Sequence, residues 1–244
     1  MAAAVNAGIP FNINFAHLHA GETSEGAIDH IYRDQITLAS KIHFISLPEF
    51  KTRVEEITQK KGTTTTTGAI GLENIKSFSL LNSKEFYSKW NIDLNIPSIL
   101  ITVHPETIDY ERNHDYSIEL EKLATHLSIE YQLVITMPNA DTMGTLFRNV
   151  LHKTREKRKN IFLVENFGSQ SYFSAMNMCK IVLGNSSSGI IEAASFNKYV
   201  INIGNRQKNR LCSKNVIHVP FKHEDIISAT QQYMELEYDG ENIY

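Results

Sequence analysis

Cysteine is scarce: Cys179 and Cys212 are the only two in 244 residues, and no CxxC pairs them. That argues against a disulfide framework or a zinc ribbon and makes a reduced, cytoplasmic setting the expectation. Long apolar runs are lacking too, and none reaches the ~20 residues of a membrane span. The start, MAAAVNAGIP, has no basic n-region and no extended apolar core, so no secretory signal is read there. Its alanines read as the end of a helix closed by Gly8 and Pro10. An excess of one charge is also missing. A formal net charge of −3 gives no field to gather nucleic acid or an anionic membrane, and neither is expected as a partner. No repeat has a solenoid period.

What the chain does have is alternation. Its hydrophobic fraction of 42% supports a real core. INFAHLHAG (13–21) reads as a strand. SEGAIDHIYRDQITLAS (24–40) reads as a helix capped by Thr23 or Ser24, with Ile28, Ile31, Tyr32 and Ile36 on one face. KIHFISL is a strand, PEFKTRVEEITQ a helix opened by Pro48, and GTTTTTG a β-branched strand. GAIGLENIKSFSLLN shows turn residues without a clean period and reads as a linker region. A second series runs from SILITV through QLVITMP, NIFLVENF, KIVLG, KYVINIG and NVIHVP, with helical patterns between, including one from Asp141. Strands that are apolar throughout and alternate with helices predict parallel sheets covered on both faces.

In such sheets ligands bind at the carboxyl ends of the strands. The most unusual such end is VLGNSSSGIIEAASF (182–196), where three serines lie between a strand and a helix. A helix N-terminus offers unpaired N–H groups and a positive dipole end, and small residues let a phosphate come close. Asn185, Ser186, Ser187 and Ser188 would add amide and hydroxyl donors, with Gly189 after them. One serine would suffice merely to cap the helix; a triplet favours an anion. Glu192, one turn on, suits a ribose diol as an acidic residue does in dinucleotide folds, or it is a first-turn glutamate favoured by the dipole. Arg206 could bring its fork to a diphosphate. Lys208 and Arg210 read as a solvated charge run.

GNSSSGIIEAASF followed by VINIGNRQ resembles the C-terminal half of the UDP-N-acetylglucosamine 2-epimerases, above all the hydrolysing branch of sialic-acid and nonulosonic-acid synthesis. FAHLHAGETSEGAIDHIYRDQIT, GAIGLENI and TVHPET match the same family in order, over about residues 10 to 220. The resemblance implies a GT-B-like fold of two Rossmann-like, doubly wound halves. It implies an incomplete first half at 1–75, a linker region at 76–94, a nucleotide-binding second half at 95–235 and a tail at 236–244. The first half is expected to be short because a βαβαβ unit with its partners needs on the order of 100 to 150 residues. The family's Gly-rich first loop and Asp-Arg motif are not found.

The implied reaction loses UDP from C1 as the C2 proton leaves, then hydrates the glucal to release N-acetylmannosamine. It needs no cofactor. A nucleotide sugar is the implied partner, and a homo-oligomer is possible on this reading. The resemblance assigns Asp29 an acid/base role, although its residue-level reading is a helix aspartate paired with Arg33. Glu22 is the second carboxylate. His19 stands where non-hydrolysing relatives carry glutamate. His104 is placed at the catalytic cleft, where an imidazole could donate to an oxyanion. Ser169 would contact nucleotide or sugar, or cap a helix. His17 and His19 form an HxH pair on one strand face without an evident third ligand, so no metal is expected. The alternatives are a non-catalytic nucleotide-sugar-binding remnant and a 2-epimerase of a GDP-linked or 4-amino sugar.

Overall fold

The computed structural model describes residues 1–139 and 143–244. Its main body is a parallel sheet of six strands: β4 (Ser98–Thr102), β5 (Gln132–Thr136), β6 (Ile161–Val164), β7 (Ile181–Gly184), β8 (Val200–Ile203) and β9 (Val216–Val219). Their order is β6-β5-β4-β7-β8-β9. Every residue of β4, β7 and β8 is buried, as continuous apolar strands require. Alternate side chains feed two cores. Ile99, Ile101, Leu133 and Ile135 face one, with residues of α6 (Asn113–Leu127), α7 (Gly144–Lys157) and α10 (His223–Tyr233). Leu100, Val134, Val182 and Val200 face the other, with α8 (Gly168–Met178) and α9 (Ser187–Ile191).

The chain leaves β4 toward one edge and, after β6, returns to β7 on the other side of β4. The strand order therefore reverses between β4 and β7, and a crevice opens where their carboxyl ends part. Gly184 is required at this seam. It sits at φ +140°, and a Cβ there would lie 1.9 Å from the Thr102 carbonyl oxygen.

A second parallel sheet holds β1 (Phe15–Leu18), β2 (Ser40–Ile45) and β3 (Thr64–Thr66). It has a small core of Ala20, Ile45, Leu47, Phe50 and Val54 beside α3 (Phe50–Thr58). The helix expected over 24–40 is shorter: α2 spans Asp29–Ala39 and has no side-chain cap. Residues before it leave the helical pattern because they dock on the larger sheet's loops. Thr23 donates to the Asn209 carbonyl (3.3 Å), Asn209 donates to Glu25 (2.6 Å), and the Ile28 N–H donates to Thr107 (2.9 Å). Gly26 lies so near the Asn205 carbonyl that a Cβ would come within 1.7 Å of its oxygen.

The stretch read as a linker is largely helical. α4 (Ile70–Ser77) is followed by α5 (Ser83–Trp90), which opens with a capping box between Asn82 and Glu85. Phe86, Ile92 and Leu94 bury into the second core. The last residues also bind both bodies: Tyr238 donates its N–H to Asn197, and Ala69 donates to the Tyr244 carbonyl. α1 spans Ala2–Gly8. The helix expected from Asp141 is described from Gly144; residues 140–142 lie outside the described residues.

Candidate active site

β4 ends into His104, and β7 ends into the serine turn. The Asn185 side chain ties them: its Oδ1 accepts from the His104 N–H (2.7 Å) and its Nδ2 donates to the His104 carbonyl (2.8 Å). Asn185 is fully buried, so its side-chain donor is spent on His104. Ser186 is the N-cap of α9 and accepts from the Ser188 N–H. Ser188 donates to the Tyr172 hydroxyl (2.9 Å). Gly189 is a packing position, where a Cβ would meet Val200 at 2.9 Å.

These loops wall a cavity of about 500 Å³. Of the sequence-predicted residues, His104, Ser169, Ser186, Ser188 and Glu192 line it, joined by Thr102 and Tyr172. Ser187 is half-buried outside that lining. Glu192 is not a solvated glutamate. Its Oε2 is buried without a hydrogen-bond partner among the described residues, and burial lifts its carboxyl to about 7 against the opposing pull of Arg210 and Ser188. It therefore titrates near neutrality, in a residue that lines the cavity.

His104 is buried, and desolvation with the nearby Arg206 charge holds it at about 4. Its Nδ1 accepts from the Asn139 N–H (3.3 Å). A backbone amide can only donate, so the neutral ring carries its proton on Nε2. His104 is thus a hydrogen-bond donor at neutral pH. Arg206 lies behind it, its Nη1 donating to the Asn185 carbonyl (3.3 Å).

Sequence reasoning passed over Glu106, in the quoted TVHPET. It is buried, accepts from the Asn205 N–H (2.6 Å), and so pins the loop that carries Arg206. Desolvation raises its carboxyl despite backbone bonds from Asn205 and Arg206.

The second group lies where the two sheets meet. β1 stops at Leu18, and His19 turns into the left-handed region at φ +59°, rare for a side chain of its size. The turn breaks the expected HxH pair: His17 points to the Thr37 hydroxyl (2.9 Å) on α2, whereas His19 meets Glu22. Glu22 is 1% exposed. Burial alone would raise its carboxyl. The His19 hydrogen bond (2.6 Å), the Arg210 charge (2.7 Å) and the Ser46 hydroxyl (2.7 Å) outweigh burial and hold it at about 2.

Arg210 is therefore no solvated charge, as its neighbours in sequence suggested. Its side chain is 4% exposed and crosses from the β8 side to Glu22. No periodicity marks it, because its partner lies 188 residues away. Arg210 also donates to Gln207 (3.2 Å), and Gln207 donates to the Asn185 carbonyl (2.8 Å). A continuous polar chain thus runs from His19 through Glu22, Arg210, Gln207 and Asn185 to His104. Asp29 stands apart, exposed at the start of α2 within electrostatic reach of Arg33.

Among the described residues, Glu119, His223 and Glu224 group at metal-ligand distances. Glu119 there caps α10, accepting the His223 N–H (2.8 Å), and none of the three lines the cavity. No helix among the described residues is long and apolar enough to cross a membrane.

Two buried histidines make stability pH-dependent. His17, lowered to about 4 by burial and then by Arg33, and His104 at the same value each lie below the 6.5 of the free ring. The unfolded chain binds their protons first as pH falls. Stability is intact above pH ~6.5 and drops by about 2–3 kcal/mol per histidine on reaching pH ~4.5. Urea unfolding at pH 7.5, 5.5 and 4.5 measures this. The His17→Asn variant loses its share of the decline, and equal slopes in both proteins would refute the assignment.

The order β6-β5-β4-β7-β8-β9, with a polar cavity at the strand reversal and a second parallel sheet beside it, places the chain in the GT-B-like class of α/β proteins. The signature described as UDP-N-acetylglucosamine 2-epimerase matches residues 1–243, and the chain belongs to that family. It is 32% identical over 234 residues to the UDP-N,N'-diacetylbacillosamine 2-epimerase (hydrolyzing) of Legionella pneumophila, covering 95% of this chain and 60% of that protein. It is 35% identical to the GDP/UDP-N,N'-diacetylbacillosamine 2-epimerase (hydrolyzing) of Campylobacter jejuni, covering 84% of this chain and 54% of that protein. The chain thus spans little more than half the length of these relatives. In fold it is similar to UDP-GlcNAc 2-epimerase of Neisseria meningitidis bound to UDP-GlcNAc, with TM-score 0.76, 18% identity, 100% of this chain and 69% of the other. The S. aureus MnaA–UDP structure gives 0.77 at 14% identity, covering 99% and 66%.

Proposed function

We propose that the chain carries the nucleotide-sugar site of a hydrolysing 2-epimerase, acting on a UDP-linked 2-acetamido sugar in sialic-acid or related nonulosonic-acid synthesis. The observation that carries this is the pairing of a neutral, Nε2-protonated His104 with the serine turn at the strand reversal. The α9 N-terminus and the Ser186 hydroxyl suit the diphosphate, and Glu192 suits the ribose diol. The His104 Nε2–H suits the oxygen that departs from C1, which gains charge as the bond breaks. Ser169 adds a hydroxyl to the cavity wall, Arg206 stands outside that lining with its Nη1 on the Asn185 carbonyl, and Asp29 is the family-pattern carboxylate for proton delivery at C2. UDP leaves in that elimination, and hydration of the resulting glucal yields the free 2-epimer.

The names of the Legionella and Campylobacter relatives favour a second sugar, N,N'-diacetylbacillosamine. The test offers both. UDP binding is measured by calorimetry, and UDP-N-acetylglucosamine and UDP-N,N'-diacetylbacillosamine are each followed by proton NMR for free UDP and 2-epimer. Turnover of either supports the reading and names the sugar. UDP binding without turnover favours a non-catalytic nucleotide-sugar module, and binding of neither UDP nor sugar nucleotide sinks both.

Glu192→Gln sharpens the test. When ionised, a carboxyl that titrates near 7 accepts both diol hydrogen bonds with its charge behind them, whereas the acid form keeps only one neutral acceptor oxygen. Wild-type UDP affinity therefore weakens as pH falls from 8 to 6. The variant binds about tenfold more weakly at pH 8, the worth of one charged hydrogen bond, and shows little pH dependence.

A further inference from the structure

We infer that His19 and His104 are a tautomer-locked pair of opposite polarity, and that His19 Nε2 is the base that takes the C2 proton. The inference rests on the epimerase reading for its substrate, but not for its ring geometry. At His104, an amide N–H occupies Nδ1 and puts the proton on Nε2. At His19 the neighbour of Nδ1 is a carboxylate at 2.6 Å that two further donors hold ionised. A carboxylate only accepts, so Nδ1 carries the proton in either charge state and neutral His19 presents a lone pair at Nε2. That nitrogen has no hydrogen-bond partner among the described residues, and the side chain is 26% exposed. His19 also lies within electrostatic reach of Glu192 on the cavity wall.

Glu22 is then a positioning residue, too strongly ionised to shuttle protons itself. It holds a strained His19 backbone in place, with Arg210 bracing it from the other sheet. In the step this implies, the C2–H proton passes to His19 Nε2 and its electron pair forms the C1=C2 bond. The C1–O bond breaks, and its pair leaves on the diphosphate oxygen, which accepts the His104 Nε2–H. Water then adds its hydroxyl to C1, a proton reaches the opposite face of C2, and His19 returns its proton to solvent.

The test uses the whole chain labelled with 15N-histidine. At pH 7.5, ring-nitrogen spectra show His19 protonated on Nδ1 and His104 on Nε2. In Glu22→Gln, whose amide can also donate, His19 becomes a tautomer mixture while His104 does not change. His19→Asn keeps the left-handed backbone that asparagine tolerates. It slows release of UDP from the turned-over sugar at least 100-fold and shifts UDP affinity by less than threefold. An Nε2–H tautomer at His19, or turnover by His19→Asn within threefold of wild type, overturns the inference. The expected tautomers without turnover of either sugar overturn the epimerase reading, and the base role with it.

Discussion

Arg210→Met lowers the unfolding free energy by about 3–5 kcal/mol, because it strands a buried carboxylate. Glu22 keeps Ser46 and His19, and Arg33 stands 3.6 Å away, which places the loss toward the lower end. The deficit shrinks as pH falls, since an unpaired Glu22 gains a proton more readily than the wild-type group at about 2. The double variant Arg210→Met/Glu22→Gln recovers most of the loss, because no buried charge remains without its partner. Urea unfolding of the four proteins at pH 7.5 and 5.5 gives the coupling directly. Additive losses would mean that the pair does not join the two sheets energetically.

His104→Ala lowers kcat on the nucleotide sugar by about 10²–10³-fold, the cost of one donor at a developing oxyanion. UDP affinity falls far less, because the donor matters most when the leaving oxygen gains charge. Wild-type activity carries no limb from this group between pH 5 and 9, since a ring at about 4 stays neutral throughout that range. An activity limb in that range lost only in His104→Ala would show instead that His104 works as a proton carrier. The fold itself tolerates the variant, because Asn185 holds the backbone of residue 104 and not its ring.

The apolar strands of the larger sheet and the serine turn after β7 were legible because burial on both faces and helix-terminal chemistry act over a few residues. Helix boundaries failed where distant contacts intervened. Residues 24–28 have a helical pattern, yet Glu25 accepts from Asn209 and the Ile28 N–H donates to Thr107, both far along the chain. Residues 83–90 looked like a linker because the residues before them break the period, although the Asn82 capping box was present to be read. Arg210 sits in a run of lysines and arginines that reads as a solvated surface, and only the fold brings Glu22 beneath it.

The sequence alone determined the chemistry available: a small net charge of −3, no metal-type cysteine pattern, a hydroxyl-rich strand-to-helix turn, and histidines and carboxylates just past strand ends. The tertiary structure decided which atom of each group is used. Whether a ring nitrogen donates or accepts depends on the partner of the other nitrogen, and whether a carboxyl is charged depends on burial and on neighbours far along the chain. Such neighbours as Asn139 for His104, and Arg210 for Glu22, are set by how the chain packs.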